Sequence, residues 1–233
     1  MKITYIGHSG FLIELSECYL LFDYYEGSLP ERDTQKPMFL FCSHFHPDHF
    51  NPEVFEKIKD MDIVYGVFDK GIFKGRTPEI MERWFVKHSQ IYELPMGIKV
   101  ETFKSTDTGV AFLVTADEKV IYHGGDLNDW FWEGETEENN HLMTEKYRKE
   151  IDKLAGREIH VAFIPLDPRQ EAAYAKGMVY FLEATKAEKI VPMHFWNQTE
   201  VIERFLGEYP QFKDRVLAFK RQMESREIKD RRY

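Results

Sequence analysis

An α/β architecture of two packed β-sheets with helices outside is what this sequence predicts, on three observations. Short strand-like stretches come in quick succession at the start of the chain. A second series of such stretches follows in the middle, and helix-like segments are interleaved with both. In the first series, residues 2–6, 10–15, 19–23 and 38–42 read as strands with turn residues between them. A helix over 52–59 opens at Asn51-Pro52, a strand follows at 62–65, and Pro78 opens a short helix over 78–84. The second series spans 98–103, 110–115 and 119–123. Beyond it the pattern predicts helix 138–154, strand 160–164, helix 170–185, strand 189–192, helix 199–207 and a last strand at 216–219.

Composition bounds the rest. The chain has 233 residues, 43% of them hydrophobic, and no Pro/Gly/Ser-rich linker, low-complexity run or repeat. A single domain over 1–220 is therefore expected, followed by a charged, solvated tail at 221–233. A net charge of −9 argues against a nonspecific grip on nucleic-acid backbone, and the basic cluster ending Arg231-Arg232-Tyr233 is too short to reverse that. The N-terminus runs into strand-like sequence without the apolar stretch of a signal peptide, and no segment could span a bilayer. Cytoplasmic residence is the expectation, with self-association left open. Cys18 and Cys42 both lie in apolar strand-like stretches and read as buried small hydrophobes, with Cys42 close to the site described next.

The most informative run is His44-Phe45-His46-Pro47-Asp48-His49. It follows the apolar stretch 38–42 and precedes a helix start, so it occupies a strand-to-helix loop at a sheet edge. Polar turns favour Gly, Asn, Asp and Ser for backbone reasons and have no use for three histidines. In an extended segment His44 and His46 point the same way and can grip one ion together. Asp48 and His49, past the proline, can face a second. A nitrogen and oxygen donor set without thiolate suits zinc, with manganese or iron as alternatives.

With this motif and organisation the chain resembles the metallo-β-lactamase superfamily, and in Gly7-His8-Ser9 it is similar to a lactonase-like branch related to ascorbate-6-phosphate lactonases. The resemblance covers almost the whole chain and implies an αββα sandwich of two mixed β-sheets flanked by helices, with metals along one edge. His44, His46, Asp48 and His49 match the HxHxDH motif at every defined position. Asp126, in His123-Gly124-Gly125-Asp126, matches the aspartate that bridges two metals, and His194, in Pro192-Met193-His194, the late histidine of the second metal. Asp23 matches an early strand-end aspartate that supports the ligands from outside the metal's own shell.

One departure concerns the first metal. Members of the family supply it with a third histidine from the loop that here reads Ser105-Thr106-Asp107, and no histidine stands there. His88, the only histidine between His49 and His123, is a poor replacement in a polar, helix-like setting. His8 is the better one, because Gly7 lets the backbone bend and throw the imidazole toward the sheet edge.

The resemblance and ligand count together imply a metal-dependent hydrolase. Two divalent ions, zinc for preference, would activate a water against a carboxylic ester, lactone or phosphodiester, with Asp48 orienting the water and shuttling its proton. The flavodiiron branch, which carries a glutamate where His46 stands, does not fit. The alternative from another class is a metal- or ligand-binding protein that keeps the fold without turnover. Specificity is expected from Trp130 and Trp132, which either wall a pocket or cover the core, and from Arg169 in Asp167-Pro168-Arg169, which either holds an anionic substrate group or is a surface or ion-paired arginine. The expected partner is a small, anionic molecule, with no membrane.

Overall fold

The structure, a computed structural model, describes residues 1–229, and its strands fall into two sheets that coincide with two compact units. The first unit comprises Met1–Val86 and the segment from Phe219 onward, and the second Lys87–Ala218. Among the described residues, no helix is long and apolar enough to cross a membrane.

In the first unit, β1 (Lys2–Gly7), β2 (Gly10–Glu14) and β3 (Tyr19–Phe22) form an antiparallel meander. From β3 onward the pairing is parallel, through β4 (Met38–Cys42), β5 (Val64–Asp69) and β6 (Glu82–Val86). Both faces of β3 and β4 are buried, which accounts for their continuous apolar runs. One face, with Leu21, Met38, Leu40 and Cys42, packs with Phe50 and Val54. Val54 belongs to α1 (Val54–Lys57), a single turn where a helix over 52–59 was expected. The Asn51 side chain bonds the Glu53 N–H and the Tyr25 carbonyl, holding the preceding residues as a turn.

In the second unit, β7 (Ile91–Glu93), β8 (Lys99–Lys104), β9 (Val110–Ala116) and β10 (Lys119–His123) are antiparallel. The pairing then turns parallel through β11 (Val161–Pro165) and β12 (Lys189–Met193). The helices are α2 (Glu137–Ile151), capped by Thr136 on the Asn139 N–H, α3 (Lys176–Ala184) and α4 (Glu200–Glu208). Each sheet is thus mixed and accompanied by helices, as expected.

Several elements differ from the sequence expectation. The segment assigned to a helix at 78–84 instead enters β6, where Trp84-Phe85-Val86 suits a pleated strand better than Pro78 suits a helix start. Strand 62–65 extends four residues further, because Gly66, which interrupts the apolar run, admits the Phe68 ring: a Cβ there would meet it at 2.3 Å. The helix over 170–185 breaks at Glu171 (φ 51°), leaving a 3-10 stretch before α3. Residues 216–219 make one bridge, Ile190 to Val216, and Phe219 then packs on Tyr5 and Phe11 in the first unit. The tail is not simply solvated. Ser225–Glu227 form β13, an exposed strand paired antiparallel with β1, while Arg231, Arg232 and Tyr233 lie outside the described residues. Cys18 and Cys42 are buried thiols, and burial, with Asp23 nearby, pushes the Cys42 thiol well up.

Leu40, central in β4 and fully buried, tests the first core. Leu40→Ala should lower unfolding stability by about 2–5 kcal/mol, the range for a buried leucine whose cavity only partly collapses. Urea unfolding with an unchanged slope would show it.

Candidate metal centre

Strand direction places the candidate residues. In the first sheet β1, β3 and β4 run the same way, since β1 and β3 are both antiparallel to β2 and β3 is parallel to β4. Their C-terminal ends therefore share one edge, and His8, Asp23 and Ser43 each directly follow one of these strands. In the second sheet the parallel strands β10, β11 and β12 lead in the same manner to the Asp126 turn, to Asp167 and to His194. His8 (φ 52°), Asp23 (φ 40°) and His194 (φ 63°) are all in the left-handed region, which turns the chain sharply at the strand end. Non-glycine residues held there cost of order 1–3 kcal/mol each, and such strain concentrates at functional sites. Gly125 (φ 51°) makes the corresponding turn before Asp126.

In the first unit Asp23 organises the loop. Its Oδ1 accepts the Ser43 N–H at 2.7 Å, and its Oδ2 accepts the Ser43 hydroxyl at 2.6 Å and His49 Nδ1 at 2.8 Å. A hydroxyl has one proton, so Ser43 Oγ, donating to Asp23, accepts from His44 Nδ1 at 3.0 Å. Both imidazoles are thereby protonated on Nδ1, which leaves Nε2 of His44 and of His49 as the lone-pair nitrogen. His44 Nε2 meets His46 Nδ1 at 3.0 Å. Two nitrogens on one tetrahedral zinc, each at about 2.0–2.1 Å, stand about 3.3 Å apart. The pair thus has the spacing of two ligands to one ion.

His8, Asp48 and His49 offer atoms that all lie within 4.8 Å of one another. His8 Nε2 is 3.3 Å from Asp48 Oδ2, and the His8 ring meets His49 edge-on. Sequence reasoning assigned His8 to the ion held by His44 and His46; the structure sets it beside Asp48 and His49 instead. Burial would raise the Asp48 pKa, but the hydrogen bond from His8 and, where those imidazoles are protonated, the charges of His49 and His8 outweigh it and bring the carboxyl down below the usual range.

In the second unit His194 Nε2 lies 3.3 Å from Asp126 Oδ1, while its Nδ1 bonds Asp167 Oδ2 at 3.0 Å. Asp167 was not singled out from the sequence, yet it holds His194 as Asp23 holds His49. Its signal was position: like Asp126 and His194, it follows a parallel strand of this sheet. The Asp167 carboxylate also accepts Arg169 Nε at 3.0 Å and caps the Arg169 N–H. Burial opposes its ionisation, and the bonds from His194 and Arg169 bring its pKa down to about 2.

Arg169 is ion-paired, with its side chain 48% exposed and its guanidinium over the Trp196 ring. Trp130 is buried edge-on against His194, stacks on Trp132 and donates from Nε1 to the Asp126 carbonyl, so its first role is to brace the Asp126 turn. Where a third histidine was expected, Thr106 bonds the backbone N–H and carbonyl of Asn128 and so fixes the same turn. His88 is exposed beside Ser89, in a loop before β7 and not in a helix. The donor chemistry in both units fits divalent metal: imidazoles whose Nδ1 is bonded and whose Nε2 carries the lone pair, carboxylates beside them, and buried carboxylates behind.

Comparison with known proteins agrees. A family model described as a β-lactamase superfamily domain matches residues 2–194. The chain is 28% identical over 223 residues to a UPF0173 metal-dependent hydrolase of Bacillus thuringiensis, covering 88% of this chain and 89% of the relative. To one of Desulforamulus reducens it is 24% identical over 214 residues, with 84% of each covered. Among solved structures it is similar to a novel metallo hydrolase from the hyperthermophilic archaeon Ignicoccus hospitalis, at TM-score 0.66 and 14% identity over 98% of this chain and 99% of that one. It is also similar to the isothiocyanate hydrolase from Delia radicum gut bacteria, at TM-score 0.61 and 13% identity over 98% and 99%. The structural likenesses establish the fold of two mixed sheets with flanking helices.

Asp167 gives a pH test on metal-free protein. Its pKa is lower folded, about 2, than the ordinary 3.8, so its contribution is complete above 3.8 and is lost as the pH falls toward 2. Asp167→Asn should flatten the fall in urea midpoint across that interval; a decline as steep as in the unsubstituted chain would contradict the assignment.

Proposed function

The chain belongs to the metallo-β-lactamase superfamily of metal-dependent hydrolases, and we propose that it uses two divalent ions to cleave an ester, lactone or phosphodiester bond. The observation that carries this reading is the pairing of ligand-spaced histidines with buried carboxylates in both units. His44, His46, Asp48, His49, Asp126 and His194 are the proposed ligands, with His8 joining Asp48 and His49. Zinc suits this donor set best, and manganese or iron can replace it. Such ions, when bound, supply a hydroxide-like nucleophile near neutral pH and polarise the scissile carbonyl or phosphoryl oxygen.

The chain's own groups do the rest. Asp48, a carboxylate beside His8 and His49, orients the attacking water and shuttles its proton to the leaving oxygen. Asp23 and Asp167 hold His49 and His194 in the tautomer that presents Nε2. Trp130 and Trp132 form an apolar wall beside His194, and Arg169 meets an anionic group of a small substrate. A lactone is the preferred ester, following the Gly7-His8-Ser9 resemblance, and the setting is proposed to be cytoplasmic.

Metal analysis and turnover of bis-(p-nitrophenyl) phosphate and a panel of lactones test this directly. Chelation should abolish activity and zinc should restore it, and His194→Ala should lose about one metal per chain and most activity while remaining folded. Full metal retention in that variant would remove His194 from the ligand set, and a wild-type chain that takes up no metal would favour the non-catalytic alternative. Arg169→Ala should raise KM for an anionic substrate by about 10-fold or more relative to a neutral one, since a charge-assisted bond contributes roughly 1.5–3 kcal/mol. Equal effects on both substrates would leave Arg169 only its place beside Asp167.

A further inference from the structure

Gln170 is a buried amide that none of the chemistry above uses. It follows Asp167 by three residues, in a turn closed by its own N–H on the Asp167 carbonyl at 3.2 Å. Its Nε2 donates to the Asp129 carbonyl at 2.7 Å and to the Phe131 carbonyl at 3.3 Å, and its Oε1 accepts from Asn128 Nδ2 at 2.8 Å. All three partners lie on the loop that begins at Asp126. One side chain therefore ties the loop carrying Asp126 to the turn carrying Asp167, the carboxylate that holds His194.

The surroundings of this clasp are not arranged for stability alone. Asn128 Oδ1 is buried without a hydrogen-bond partner, which is destabilising. It lies over Gly177 of α3, where a Cβ would come within 2.0 Å of it, so the amide is confined by its neighbour. Asp129, next in the loop, accepts Thr144 Oγ1 at 2.9 Å and lies 3.5 Å from Lys176 Nζ, anchoring the far side of the same loop. A polar network this buried specifies one arrangement, because any alternative leaves more groups unpaired.

We infer that Gln170 is a positioning residue that sets the separation of Asp126 and His194, 3.3 Å apart between Oδ1 and Nε2, and through it the affinity for metal. This rests on the metal-site reading above. Zinc affinity by chelator competition and the melting temperature of the metal-free protein, measured for Gln170→Met, Asn128→Ala and the control Phe205→Leu, test it. Phe205 is fully buried in α4 against Tyr209 and Phe212 and is not among the residues that form the clasp. Gln170→Met should weaken zinc binding about 10–100-fold, as loss of support to a ligand does. Asn128→Ala should do so less, because Gln170 can still bond the Asp129 carbonyl. Phe205→Leu should lower the melting temperature with unchanged affinity. Wild-type affinity in Gln170→Met overturns the inference, as does a loss in Phe205→Leu proportional to its loss of stability. If Gln170→Met does not fold, unchanged affinity in Asn128→Ala overturns it instead. A wild-type chain without zinc affinity would overturn the metal-site reading itself.

Discussion

Parallel strand pairing is the constraint on which the candidate centre depends. A parallel pair brings the C-terminal ends of its strands to the same edge, so residues far apart in sequence arrive together without any contact of their own to guide them. In the first sheet this sets Asp23 beside the loop that starts at Ser43, 20 residues on. In the second it sets Asp167 beside His194, 27 residues on. The antiparallel strands complete each sheet and also lead to this end of it: β1, which runs with β3 through β2, leads to His8, and β8, which runs with β10 through β9, leads to Thr106 beneath the Asp126 turn.

Electrostatics explains why buried carboxylates are tolerated there. An isolated buried carboxylate is costly, and each of these is matched by donors placed before any metal arrives. Asp23 has three hydrogen bonds from Ser43 and His49. Asp167 has His194 on one side and the Arg169 fork on the other. The result is preorganisation: the histidines are held in one tautomer and one orientation, so little freedom is lost when an ion is taken up.

What was legible in the sequence was local. The His44 to His49 run could be read because its donors are spaced within six residues, and the apolar strands because burial on both faces leaves continuous hydrophobic runs. Asp167 was overlooked as a support because its role exists only once β11 lies beside β12. The nearness of His8 to Asp48 was not legible for a similar reason: it depends on the β1 to β3 meander, not on spacing along the chain. β6 was mistaken for a helix where Pro78 competed with an aromatic, β-branched run, and β7 is only three residues long. The absent third histidine was visible, but not that Thr106 in its place braces the backbone beyond Asp126.

The charged strand β13 has a consequence for handling the protein. It covers the outer ladder of β1, with Tyr5 bonded on both backbone groups to Met223 and Glu224, and Thr4 bonded through its hydroxyl to Ser225. β1 itself is buried from Ile3 onward, whereas Ser225, Arg226 and Glu227 are exposed and polar. A sheet edge that ends in charge resists pairing with another chain; a bare apolar edge invites it. A version truncated before Ser225 would therefore expose an aggregation-prone strand, and the turn holding His8 would begin from an unprotected margin.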